Sequence, residues 1–366
     1  MTEKRSSALT RWLIAGVVLV AALIFVIVLV RRSAARSAAA TEEAPYTLDN
    51  SAGQVFAVTT GKTGQLVAAT NGGMQLFSPE GQSVAHELSS LKQPGVTAGE
   101  QSAAAYDIGG ETLLVADLEG NVTSITPPGT IISARMNAEG WLAVVTEAPG
   151  YKAVVTVYDD TYKAVYAWYS STSYVLTAEL SDDRVLAALC VDESGGSVNL
   201  FRLSEEKPIG AFTAPGEVLL DLDWVDDDHV AAVSQSRVVF LNEDATIAGS
   251  FSYNGQKLYD YTGDGRDFFA VCLSQYRSGS PTRLVTLSPT GEILGDLAAP
   301  SELESISAHE KQVLALGNGK LIQYNQQLEE MLTADVAQSG VRQALLLESG
   351  KCVLVFDYSA QGFEYN

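Results

Sequence analysis

Histidine and cysteine are scarce in this 366-residue chain, three of each, and their placement removes whole classes of chemistry. His86, His229 and His309 stand far apart with no His-x-x-x-His pair, so the spacing that lets two imidazoles of one helix share a zinc ion is missing. They read as strand-end residues. Cys190, Cys272 and Cys352 each sit inside an apolar stretch and form no Cys-x-x-Cys pair. That speaks against a disulfide framework and a zinc site, and for buried thiols acting as small hydrophobes. No serine lies in a Gly-x-Ser-x-Gly elbow. Gly61-Lys62-Thr63 has the ending of a phosphate loop, but Phe56 stands where that loop needs its first glycine and no helix follows. A hairpin turn is the better reading. With no nucleophile and base at a recognisable spacing and no cofactor fingerprint, the chain reads as a binding protein rather than an enzyme.

Basic residues are few as well. From Pro45 onward 17 Lys and Arg face 41 Asp and Glu, a net charge of −24, which repels nucleic acid and anionic lipid from the folded part. Long apolar runs are absent but for one, Trp12 to Val30, nineteen residues without a charge, bracketed by Arg11 and by Arg31-Arg32. Its length suits a helix crossing a hydrocarbon core of about 30 Å. A cleaved signal peptide is the alternative, since Ala38-Ala39-Ala40 resembles a cleavage site. Signal h-regions run only about 7 to 15 residues, however, and three arginines separate this run from the alanines, so an uncleaved signal anchor fits better. The layout expected is a cytoplasmic head (1–11), a transmembrane helix (12–30), an Ala/Ser-rich tether (31–44) and one domain (45–366) at the cell membrane. Flanking positive charge is balanced and does not orient the span; the short head and large C-terminal body favour an extracytoplasmic domain.

What that body contains is a recurring phrase. An apolar strand, a tight turn of Ser/Asp, Pro/Glu and Gly type and a second apolar strand return about every 40 residues, as in Leu76 to Val84, Ala116 to Val122 and Leu287 to Ile293, with a blunter copy at Leu241 to Ile247. Units of that length with four short strands each are the mark of a β-propeller. Seven units follow one another from Gln54 to Ala334, and Val341 to Glu348, Cys352 to Tyr358 and Gln361 to Asn366 begin an eighth that lacks a strand. Tyr46-Thr47-Leu48-Asp49 can supply it, closing the ring and covering its edge. Eight blades are therefore expected, with seven as the alternative if the C-terminal strands merge into the first blade.

In period, turn type and N-terminal anchor the chain resembles the WD-repeat-like and quinoprotein-like β-propeller superfamily, and in layout the single-pass, membrane-anchored propellers of Gram-positive bacteria. The Gly-His and Trp-Asp dipeptides of true WD repeats and the Trp-rich signature of quinone-binding propellers are missing, so the resemblance implies a fold and carries no site residue or quinone with it.

Two constellations remain. Asp226, Asp227 and Asp228, near Asp221 and Asp223, crowd hard oxygen ligands on one loop and form the metal candidate, for Ca²⁺; the bland reading is a solvated turn, and the glycine of tight calcium loops is absent. Tyr162, Tyr166 and Trp168 fall on one face of a strand with Tyr169 on the other. These rings are the partner-binding candidates, against the plainer reading of packing between blades. The function expected is a non-catalytic interaction or scaffold module whose partner is another cell-envelope protein, with a ligand or glycan sensor at the channel mouth, or a hydrolase or lyase, as competing classes.

Overall fold

A computed structural model describes residues 41–46, 56–61, 63–265, 267–300, 302–348 and 350–365. The Trp12 to Val30 segment lies outside them, and among the described residues no helix is long and apolar enough to cross a membrane. The described chain is all β, arranged as eight four-stranded antiparallel sheets. Each sheet is one blade of a propeller. Blades 1 to 8 begin with the innermost strands Phe56–Thr60, Pro94–Ala98, Ile131–Met136, Tyr174–Leu180, Leu219–Trp224, Lys257–Thr262, Leu303–His309 and Gln343–Glu348. In blades 1 to 7 the strands follow in chain order from axis to rim. The innermost strands start at what we call the upper end, and the turns between first and second and between third and fourth strands lie at the lower end.

Closure follows the expected device with shifted bounds. Blade 8 takes its outermost strand from the N-terminal side, where Thr41–Tyr46 pairs antiparallel with Ala360–Glu364. The strand thus occupies 41–44, assigned above to the tether, while 47–50 lie outside the described residues.

Among the described residues there is no central core. Eight apolar layers, one between each pair of neighbouring blades, do its work. The second strand of blade 4, Val185–Asp192, shows why its sequence is an unbroken apolar run. Leu186, Ala188 and Cys190 face blade 3 whereas Val185, Ala187 and Leu189 face blade 5, so both faces of the period-two strand are buried. Each fully buried Leu or Val contributes roughly 1.5–3 kcal/mol.

The recurring turn phrase is the lower hairpin between third and fourth strands. In blade 1 the Ser78 amide donates to the Gln82 carbonyl and that of Gly81 to Ser78, with Gly81 at φ +77°; Asp117 to Asn121 and Ser288 to Glu292 repeat the pattern. Three further blades build the same turn around Tyr162, Ala245 and Leu328, all at positive φ. Their fourth strands also sit close to the next blade. A methyl group on Gly249 would lie 1.7 Å from the carbonyl oxygen of Thr290 in the lower turn of blade 6, so only glycine admits that contact.

The three cysteines are free and buried. Cys190 lies between blades 3 and 4, Cys272 between 6 and 7 and Cys352 between 7 and 8. Burial pushes the Cys190 thiol up to about 11 and the Cys272 thiol up to about 12, and raises Cys352 further. Thiolate being the reactive form, labelling of the native chain with an aromatic disulfide reagent at pH 8 should be slow at all three sites and complete in denaturant. Rapid labelling of the native protein would contradict this packing.

Candidate functional site

The innermost strands of a propeller leave one edge unpaired along the axis, and each blade has to satisfy that edge with side chains. Thr97 accepts the Met136 amide, Asp260 that of Ile306, Ser305 that of Ala344 and Ser307 that of Leu346. Small polar groups thus serve the axial edge at these four places, and a different arrangement serves it between blades 3 and 6.

There the channel carries a charged knot. Arg135 of blade 3 reaches past the inner edge of blade 4 to place Nη2 2.8 Å from both carboxylate oxygens of Asp221 in blade 5, and its Nη1 lies 3.7 Å from Asp223. The Tyr261 hydroxyl of blade 6 donates to Asp221 at 2.8 Å, and the Leu222 amide completes that carboxylate's donors. Glu179 of blade 4 adds its charge to the same field. Arg135, Asp221 and Asp223 keep 35, 17 and 19 % of their side-chain surface exposed although protein rings them, which places them on the wall of a narrow solvent-accessible channel. Burial favours the neutral form of Arg135, yet Asp221, Asp223 and Glu179 outweigh it and hold the guanidinium charged. Asp223 goes the other way: burial first, then Glu179, raise its carboxyl well above the usual range in spite of Arg135. The knot crosslinks the ring. Its aspartates are committed to internal donors and to one another's fields, and nothing in it pairs a nucleophile with a base.

The calcium candidates stand at the lower end. Asp226 turns both oxygens to His229 Nδ1, at 2.9 and 3.0 Å, and accepts the amides of Asp228 and His229, which is a side chain capping its own turn. Among the described residues no group of three or more His, Cys, Asp or Glu is arranged to hold a metal ion.

The aromatic candidates divide. Tyr166 and Trp168 pack on Phe201 of blade 4, with ring centroids 6.5 and 4.7 Å away, so they belong to the layer between blades. Tyr162 does not share their face as the alternation suggested. It fills the positive-φ position of the lower turn, a bulge follows in the ladder, and its ring joins the layer between blades 2 and 3. Tyr169 is 51 % exposed and packs on Tyr151, with ring centroids 4.9 Å apart and the planes tilted by 50°.

Tyr169 and Tyr151 are part of a larger asymmetry. At the upper end the exposed large apolar residues include these two and Tyr174 around blades 3 and 4, then Leu176, Val218 and Leu220 on blades 4 and 5. Tyr259 and Tyr276 of blade 6, Leu88 of blade 1 and Tyr358 of blade 8 share that end. The lower end has Val165, Ile247 and Ile293. Most acidic pairs show the opposite distribution: Asp159-Asp160, Asp182-Asp183, Glu205-Glu206, Glu243-Asp244 and the Asp226 run occupy lower turns, whereas Asp192-Glu193 lies in an upper one. No sequence pattern marks this polarity, because it emerges only when turns remote in the chain are sorted by end.

In sequence, the model of a family described as a family of unknown function, DUF5711, matches residues 47–358. The chain belongs to this family. DUF5711 membership covers the ring from blade 1 into blade 8. No curated protein matches the sequence. In structure this DUF5711 chain is similar to BamB from Moraxella catarrhalis, with a TM-score of 0.58 at 13 % identity over 90 % of this chain and 98 % of that one. It is also similar to the C-terminal WD40 domain of Sif2, with a TM-score of 0.59 at 12 % identity over 90 and 99 %. A chain of the mitotic checkpoint complex aligns with a TM-score of 0.52 at 13 % identity over 74 and 90 %. At these identities the likeness concerns the propeller fold.

Proposed function

We propose that this DUF5711 protein is an extracytoplasmic, non-catalytic interaction module, anchored in the cell membrane by Trp12 to Val30, that binds another cell-envelope protein through the upper end of its propeller. The observation that carries the reading is the gathering of exposed tyrosine and aliphatic side chains at that end, opposite most of the acidic turns. Tyr and Leu left in water over a connected area mark protein contact surfaces, and tyrosine adds a rigid ring with a hydrogen-bonding tip. A structural neighbour that is a chain of a multiprotein complex agrees with the same use of the fold. The charged knot supports a binding role, since the Asp221 carboxylate at its centre is held by Arg135, Tyr261 and its own strand.

The test uses the full chain in its own membranes, with a photo-reactive amino acid placed singly at Tyr169, Tyr276, Ile247 or Ile293. Irradiation should give a discrete protein adduct, recovered with the membrane fraction, from the first two positions and none from the last two. Adducts from the lower positions alone, or none anywhere, would overturn the reading.

A further inference from the structure

Five consecutive innermost strands share an irregularity. In blades 3 to 7 the ladder to the second strand skips one residue near the upper end, between Ile131 and Ser133, Val175 and Thr177, Leu219 and Asp221, Leu258 and Asp260, and Leu303 and Ser305. The bulged residues are Ile132, Leu176, Leu220, Tyr259 and Glu304. A bulge turns its side chain out of the sheet's alternation, and the last four are exposed where a regular strand would tuck alternate residues between blades. Tyr259 lies across the gap to the next blade, its hydroxyl donating to the Leu303 carbonyl at 3.2 Å. The mouth of the channel thus carries an arc of apolar side chains ending in a carboxylate.

Directly beneath that arc the wall is acidic. Asp221 and Asp260 follow the bulged residues of their strands at once, and Glu179 and Asp223 lie three residues down, about 10 Å at the rise of a strand. Arg135, from a strand two blades away, already pairs with Asp221 and stands beside Asp223, so these carboxyls act on the mouth through their field, while Glu304 above them is exposed. Lys257 stands at the start of its strand, above the arc.

We propose that the channel mouth of blades 3 to 7 takes a Lys- or Arg-bearing apolar segment of a partner protein, its aliphatic side chains on Leu176, Leu220 and Tyr259 and its cationic head on Glu304, within the negative field of the carboxyls below. This rests on the interaction-module reading and specifies the occupant. Apolar contact supplies the area, and the opposite charges fix which segment fits and how it is turned.

The experiment presents full-length protein in detergent with an array of twelve-residue Leu/Val peptides that differ only in carrying Lys, Gln or Glu at one central position. The Lys set should bind about ten-fold more strongly than the Glu set, and less strongly as salt rises. Leu220→Ser with Leu176→Ser, both exposed positions, should abolish that preference without changing the melting curve, Glu304→Lys should weaken it, and Ile293→Ser at the lower end should leave it intact. Equal binding of the three sets, no binding of any, or a Lys preference that survives the double substitution because it resides on the acidic lower turns, overturns the proposal. Upper-end photo-adducts obtained alongside such a result would leave the interaction module standing and remove only this occupant.

Discussion

Excision of Thr41–Tyr46 from the full chain lowers the melting temperature by about 10 °C, whereas removal of six residues from the preceding Ala/Ser-rich segment leaves it unchanged. The strand is the outer member of blade 8, paired to Ala360–Glu364 in a ladder whose register runs from Thr41 opposite Glu364 to Tyr46 opposite Ala360. At about 1 kcal/mol for each ladder bond the loss is on the order of 4 kcal/mol. A second consequence is visible in solution: Ala360–Glu364 becomes an open edge, and open edges recruit one another, so the shortened protein should also associate at high concentration. Equal melting of the two shortened chains would show that the ring is held by its apolar layers alone.

Arg135→Ala should lower the unfolding free energy at pH 7 by about 2–3 kcal/mol, somewhat less than the loss of a partner in a fully enclosed ion pair because the channel wall is partly wet. The substitution strands the Asp221 carboxylate beside Asp223 and Glu179 with only Tyr261 and the Leu222 amide to hold it. The pH dependence identifies the cause. In the wild type, Asp223 holds its proton to a higher pH than it does in the unfolded chain, so the folded state binds more protons between the ordinary aspartate range and that raised value. Stability is therefore fullest at the acidic side of this window and is withdrawn as pH rises through it. With the cation gone the Asp223 carboxyl is pushed up further, the window widens, and the deficit of Arg135→Ala should shrink as pH falls from 8 towards 5. Asp221→Asn in the same chain should restore much of the loss, and Asp223→Asn in the wild type should flatten the profile. A deficit constant from pH 5 to 8 would mean that Arg135 acts through the packing of its stem and not through charge.

The blade count was readable because Gly81, Gly120 and Gly291 announce their turns, glycine being the residue that takes positive φ without strain. Where Tyr162, Ala245 and Leu328 hold the same place, the turn is written in residues that look like strand, and the face of Tyr162 was misread for that reason. The closing strand was read late because Glu42, Glu43 and Pro45 are poor strand formers. On an outermost strand, however, a proline leaves no ladder position unfilled. The bulges were silent, since Leu220 after Leu219 reads as continued strand. The charged knot was silent too: Arg135 and Asp221 are 86 positions apart, and nothing local to either records the other.

The route of the closing strand also bears on mechanics. The chain enters Thr41–Tyr46 at the lower end, runs upward along the rim and only then crosses to blade 1. Under the proposed function, tension between an anchored N-terminal segment and a partner on the upper end would be carried along the strand axis. The rungs to Ala360–Glu364 would then be sheared together instead of being unzipped one at a time, so the weakest-looking joint of the ring would face a pull in its most resistant direction. A propeller tethered in this way can bear load across its own seam.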